Sequence, residues 1–221
     1  MTGGGDLLLD SVGPLVRGAV TGTIPLTVLS FAAGLVLALV VALMRLSRRR
    51  ALAWTARAYV SLVRGTPLLV QLFIIFYALP SLGIVIDPFP SAVIAFSINV
   101  GGYASEAIRA AILAVPRGQW EAAQTVGMGY RLTMRRVVLP QALRVAVPSL
   151  SNTFISLVKD TSLASTIMVT EMLRKAQEIA APTYAFLELY SLAAVIYWLI
   201  CLVLSAAQGR LEKRLARYVL A

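Results

Sequence analysis

Charges fall on this chain in clusters, and long apolar runs separate them. Residues 18–44, 65–86 and 189–209 carry no charge. The apolar pattern that starts at Pro88 continues past Glu106 and Arg109 to Val115. Residues 145–158 form only fourteen positions between charges, so a spanning helix there must include some of them. A hydrocarbon core about 30 Å thick needs roughly 20 residues of helix. The pattern therefore predicts five transmembrane helices, at about 20–44, 65–86, 89–115, 143–160 and 187–209. Residues 161–184 supply no sixth, because Glu171, Arg174, Lys175 and Glu178 interrupt them. No repeat of 20–50 residues is visible, and the whole of 1–221 reads as a single transmembrane domain.

Composition supports this. Of 221 residues, 59% are hydrophobic and 14% charged, and mean hydropathy is +0.82. A soluble domain is nearer 45–50% apolar and about 25% charged, so the polar residues here are too few to coat one soluble core. The absence of histidine excludes a histidine base or an imidazole metal site. The single Cys201 excludes an internal disulfide and a thiolate zinc cluster. The net charge of +10 does not point to nucleic acid, because the bases lie between apolar runs rather than along one helix face. Residues 1–17 contain Asp6 and Asp10 and lack a basic n-region before a small-residue cleavage site, so no cleavable signal is expected.

Orientation follows from the bases. Arg45, Arg48, Arg49, Arg50 and Arg57 follow span one. Arg117, Arg131, Arg135, Arg136 and Arg144 follow span three, and Arg210, Lys213, Arg214 and Arg217 follow span five. With five spans these share one side. Asp6, Asp10, Asp87, Glu171, Glu178 and Glu188 fall on the other, with Arg17, Arg174 and Lys175. The N-terminus is then outside and the C-terminus cytoplasmic.

The connection at 116–140, or to 143 by the widest reading, is long for a bundle, where two to eight residues are usual. Residues 120–126 predict a short helix ended by Gly127 in the left-handed region. Residues 130–139 predict a second, stopped by Pro140, which is also placed to start span four. Ala122, Ala123 and Val126 make one side apolar; Arg131, Arg135 and Arg136 make the other piece basic. The hairpin reads either as a docking knob for a cytoplasmic partner or as an amphipathic element on anionic headgroups.

Glu121-Ala122-Ala123, three residues, Gly127, nine residues and Val137-x-Leu139-Pro140 resemble the EAA loop of bacterial ATP-binding-cassette importer permeases. Val137 stands where that pattern has isoleucine. Arg64-Gly65-Thr66-Pro67-Leu68 and Ile155-Ser156-Leu157-Val158-Lys159-Asp160-Thr161-Ser162-Leu163-Ala164 resemble the polar amino-acid branch, over about residues 15–217. Ala42-Leu43-Met44-Arg45-Leu46-Ser47, Asp87-Pro88-Phe89-Pro90-Ser91-Ala92 and Gly118-Gln119-Trp120-Glu121-Ala122-Ala123 resemble L-cystine permeases. The resemblance implies an all-α type I importer permease in a bacterial inner membrane, paired with a second copy or paralogue. It implies two ATPase subunits and an extracytoplasmic binding protein, with cystine or another polar amino acid (Arg, His, Gln or Glu) as substrate. ATP and magnesium would sit on the partner ATPase and no cofactor on this chain, which has no G-x-x-x-x-G-K-[ST] loop.

Eight residues are candidates for coupling to the ATPase: Glu121, Ala122, Ala123, Gly127, Arg131, Arg135, Leu139 and Pro140. Glu121 is expected in the first helical turn, where the dipole favours a carboxylate; the alternative is a purely capping role. The substrate-path candidates are Thr66, Asn99, Glu106, Ser149, Asn152, Ser156, Lys159 and Asp160. Ser149, Asn152, Ser156 and Lys159 recur at spacings of three and four and share a helix face. Such a stripe faces a neighbouring helix or a watery path, not lipid. Asp160 either caps the segment that follows or attracts a substrate ammonium; Lys159 either meets the substrate carboxylate or snorkels outward. Glu106 and Arg109 are expected to pair at i,i+3; a gating role is the alternative. Asn99 beside Gly101-Gly102 marks a close helix approach or a soft point. Thr66-Pro67 reads as N-cap and N1 of span two, or as a proline break inside a longer helix. No nucleophile–base pair points to covalent catalysis. A channel, a secondary transporter, a membrane-embedded enzyme and a structural scaffold are the rival classes.

Overall fold

The computed structural model describes residues 4–216, and among them there is helix but no strand. Helix α1 (Gly4–Gly18) runs through a π-helical turn (Ala19–Thr23) into α2 (Ile24–Arg45). This helix starts well before the charge-free run that predicts it. Asp6 suits its first turn, and Leu15 and Ala19 are buried against Met172, Ala176 and Ala193. After a short turn, α3 (Arg50–Gly65) meets α4 (Leu68–Phe73), which continues through a π turn (Ile74–Ala78) and a 3₁₀ turn (Leu79–Leu82). Gly83, at φ 80°, ends it.

Helix α5 (Pro88–Leu113) opens on a proline, whose missing N–H costs nothing at that position. The hairpin follows as α6 (Arg117–Thr125) and α7 (Tyr130–Thr133), then a π turn (Met134–Val138) and α8 (Leu139–Asp160). A 3₁₀ segment (Thr161–Ile167), α9 (Met172–Thr183) and α10 (Phe186–Ala216) complete the chain.

Among the described residues two helices, Asp6–Arg45 and Phe186–Leu215, are long and apolar enough to cross a membrane, and the bent pair Arg50–Gly65 with Leu68–Leu82 qualifies as a third if it is one span. α5 and α8 are long enough but carry charges, so they need protein neighbours to bury them. They find these in each other and in α2. The central core joins Leu26 and Ala38 of α2, Leu72 of α4, Ala92, Ala95, Phe96, Val100 and Ala104 of α5, and Leu157 of α8. Small residues bring the axes close: a Cβ on Gly34 would lie 2.6 Å from Val100 Cβ and 3.0 Å from the Ser97 carbonyl oxygen. A second core (Ala111, Ile112, Val115, Met134, Val138, Ala142, Ala146) seats the hairpin against the C-terminal end of α5.

The π turn of α1–α2 is braced by Glu171, which is fully buried. Tyr197 Oη donates to Glu171 Oε2 at 2.8 Å, and the Arg174 amide donates to Oε1 at 2.6 Å, so the carboxylate caps α9. Thr23 Oγ1 accepts from the Met172 amide at 3.3 Å. Burial pushes this carboxyl up and the hydrogen bonds oppose the rise. Gly22 is where the two segments touch. A Cβ there would collide with the Thr170 carbonyl oxygen and lie 2.7 Å from Glu171 Cα. Gly22→Ala is expected to cost about 1–3 kcal/mol, as overpacking does. Gly13→Ala, with nothing within 4 Å of the new Cβ, is expected to be neutral. Thermal unfolding of the two variants in detergent checks the difference; equal stabilities would refute it.

Candidate functional site

The helix break at Thr66-Pro67 makes the site. Thr66 does not cap span two. It follows the last turn of α3 in extended conformation (φ −122°, ψ 146°), as the residue before proline prefers. Its hydroxyl donates back to Leu62 O at 2.9 Å. Pro67 is the residue before α4 rather than its first, and the chain turns by 106°. So the cap-and-N1 reading fails, and the bend between α3 and α4 fits a proline break inside a longer helical stretch. The carbonyls freed by the turn are taken up by Gln71, whose Nε2 donates to Val63 O at 2.8 Å and Thr66 O at 3.2 Å. Asn99 Nδ2 donates to Gln71 Oε1 at 3.4 Å, tying the break to α5.

A cavity of about 500 Å³ opens beside this break. Thr66, Pro67 and Leu68 line one side, Asn99, Val100 and Tyr103 of α5 another, and Asn152, Thr153, Ser156, Leu157 and Asp160 of α8 the third. Five of the path candidates therefore converge: Thr66, Asn99, Asn152, Ser156 and Asp160. Ser149 and Lys159 do not line it. They continue the exposed polar face of α8 with Asn152 and Ser156, so the expected stripe is present and uncovered within this chain. Asn152 Oδ1 also accepts from Gln208 Nε2 of α10 at 3.0 Å. Asp160 ends α8 without a side-chain capping bond, so its capping reading fails. Gln71 and Tyr103 were not singled out from sequence; the lone Gln71 inside an otherwise apolar run was the available signal.

Glu106 lies outside the cavity, beneath Tyr103. It pairs with Arg109 as expected (3.3 Å), but also with Arg45 at the end of α2 and with Arg64 of α3 at 3.9 Å. Arg64 stacks over the Tyr103 ring, 5.3 Å from its centre. One carboxylate thus gathers three guanidiniums from three helices. The close approach beside Asn99 is real: a Cβ on Gly101 would lie 2.6 Å from Tyr59 Oη, and one on Gly102 2.7 Å from Val63 Cγ1.

The hairpin differs from expectation in three details. α6 starts at Arg117, not Trp120, because Pro116 can precede it as cap. Glu121 is therefore its fifth residue, beyond the first turn, and the dipole argument for it does not apply. Pro140 does not stop the second piece. The π turn Met134–Val138 absorbs the missing amide bond, and the helix runs straight into α8. Gly127 does take the left-handed cap (φ 78°), with its amide on Gln124 O at 2.9 Å and the Met128 amide on Ala123 O at 3.0 Å. Ala123 is buried, while Glu121, Ala122, Arg131 and Arg135 are exposed; Leu139 is half-buried and Pro140 exposed. Trp120 stacks on Tyr130 at 6.0 Å, packing the two pieces together.

The family model described as binding-protein-dependent transport system inner membrane component matches residues 23–217. The chain belongs to this family. It is 60% identical over 215 residues (97% of this chain, 92% of the relative) to the L-cystine transport system permease protein TcyB of Bacillus subtilis. It is 39% identical over 204 residues (91% and 93%) to the glutamine transport system permease protein GlnP of Escherichia coli. A solved amino acid ABC transporter structure, with histidines, superposes with a TM-score of 0.87 at 36% identity, covering 93% of this chain and 96% of that one. This family member is a multi-pass inner-membrane permease component, all-α and of the importer fold, and ATP hydrolysis is the work of a separate subunit. Membership of this family implies ATPase and substrate-binding partners and a permease pair.

Removing Glu106 leaves three partly buried cations facing one another. Glu106→Ala is expected to cost about 1–3 kcal/mol of stability. Arg64→Ala, which removes the longest and most exposed contact, is expected to cost less than about 1 kcal/mol. Denaturation midpoints of the two variants check this order, and the reverse order would refute the cluster as a tie between helices.

Proposed function

We propose that this permease moves L-cystine inward across the membrane by alternating access. The supporting observation is the polar cavity at the Thr66-Pro67 break, lined by amides, hydroxyls and the Asp160 carboxylate within an apolar bundle. Asp160 attracts the substrate ammonium, Asn99, Asn152 and Ser156 hydrogen-bond its polar atoms, and Lys159 meets its carboxylate from the uncovered face of α8. That face, with Ser149, is shared with a second permease copy or paralogue. The 60% identity to the cystine permease component supports cystine over arginine, histidine, glutamine or glutamate.

The five spans, with N-terminus outside and C-terminus cytoplasmic, place the hairpin below the inner leaflet. There two ATPase subunits, holding ATP and magnesium, engage it through Glu121, Ala122, Ala123, Gly127, Arg131 and Arg135. Leu139 and Pro140 join that contact to α8 without an intervening loop. An extracytoplasmic binding protein delivers the substrate on the opposite side. Glu106 positions the inner ends of α2, α3 and α5 below the cavity.

Reconstituted complexes of permease, ATPase and binding protein test this. Labelled L-cystine is expected to accumulate on addition of ATP, with unlabelled arginine and glutamate competing poorly; the opposite preference would overturn the substrate. Asp160→Asn, which deletes a charged contact worth about 1.5–3 kcal/mol, is expected to raise the KM about 10- to 150-fold. Lys159→Gln is expected to act in the same direction, and unchanged kinetics in both would sink the path assignment. Glu121→Ala is expected to uncouple hydrolysis from uptake while leaving the complex's stability unchanged. A complex that stays coupled would refute the hairpin's role.

A further inference from the structure

At the end of the molecule opposite the hairpin, α1 and α9 enclose a second cleft of about 720 Å³. Gly13, Arg17, Gly18, Thr170 and Lys175 are among the residues that line it. At Gly18 the two helices touch beside the cleft: a Cβ there would lie 2.9 Å from Lys175 Cγ and 3.1 Å from the Glu171 carbonyl oxygen. Lys175 and Arg174 share one exposed carboxylate, Glu178, at 2.8 and 3.3 Å. The Lys175 hydrogen bond holds the Glu178 carboxyl below its ordinary value. Among the described residues no carboxylate lies within ion-pair distance of Arg17. The cleft therefore has an excess of positive charge and is suited to an anion.

The surroundings identify which anion. Next to Arg17 on α1–α2, the exposed Val12, Val16, Val20, Ile24 and Val28 form one unbroken apolar stripe at helical spacing. From Arg17 to Arg45 there are about 28 residues of one helix, or about 42 Å, which matches the roughly 40–45 Å between the two headgroup layers of a bilayer. Arg17 then stands at headgroup depth when Arg45 does. Further out on the same face of α1 lie the exposed Asp6 and Asp10. An acidic protein surface arriving from the aqueous side meets these acids first, whereas a ligand rising from the membrane does not.

We propose that this cleft binds the phosphate of an anionic phospholipid of the outer leaflet, with an acyl chain laid along Val20, Ile24 and Val28. The proposal rests on the orientation given above. It does not depend on which amino acid is carried.

Native mass spectrometry of the assembled complex, released from nanodiscs of phosphatidylcholine mixed with phosphatidylglycerol, tests it. The wild type is expected to retain phosphatidylglycerol. Each of Arg17→Gln and Lys175→Gln is expected to reduce retention about fivefold. Val20→Ser with Val28→Ser is expected to reduce it as well, and inorganic phosphate is not expected to displace the lipid. Retention that is insensitive to both arginine and lysine variants would overturn the site. Displacement by inorganic phosphate, with no effect of the valine pair, would overturn the lipid assignment in favour of a free anion. Arg17→Gln that leaves lipid retention intact but weakens binding-protein-stimulated ATPase activity would overturn it in favour of protein docking. Cystine uptake is scored separately, so failure of the transport reading and failure of the lipid reading are distinguishable.

Discussion

Hydrocarbon offers a peptide group no hydrogen-bond partner, and the break at Thr66-Pro67 answers to that fact. The described chain is helix almost throughout, and at three of its interruptions a side chain takes up a freed backbone group. Gln71 serves the carbonyls at Thr66-Pro67. Glu171 serves the amide end of α9. Thr23 accepts from the Met172 amide where α9 meets the first π turn. The same constraint forces charges into company, so that Glu106 sits among three arginines rather than facing lipid.

These replacements divide the molecule by mechanical character. Small-residue contacts between α2 and α5, set by Gly34, leave little room for relative movement. The polar cavity lies at the border between this tight pair and the uncovered face of α8. A substrate bound there touches both a fixed wall and a wall that belongs to the hairpin's own helix.

Much of this was legible in the order of residues. The apolar runs pointed to α2, α4, α5, α8 and α10, because apolar residues at helical length are read directly from hydropathy, whereas α1, α3 and α9 lie outside those runs. The stripe Ser149–Asn152–Ser156–Lys159 was readable because spacing alone decides a helix face. Gly127 was readable because the left-handed cap is a local backbone property. What escaped was long-range or depended on competition between local signals. Arg45 and Arg64 are far from Glu106 in sequence, so their convergence is a property of packing. Asp160 has the composition of a cap, yet the helix passes through it into a 3₁₀ segment and no amide is left for it to accept. Pro140 is ordinarily a stop, and a single π turn removes the reason for stopping. Thr66-Pro67 allowed two readings, and only the direction of the chain after the proline separates them.

The Gln71 side chain has a consequence for how the permease changes shape. It is a splint across the bend: the carbonyls of Val63 and Thr66 that it holds are ones that a straighter course would present to other donors. Gln71 is not itself part of the cavity lining; it holds Thr66 and Asn99, which are, so the position of either is tied to the bend. One carboxamide thereby joins the wall of the cavity to the elbow between α3 and α4.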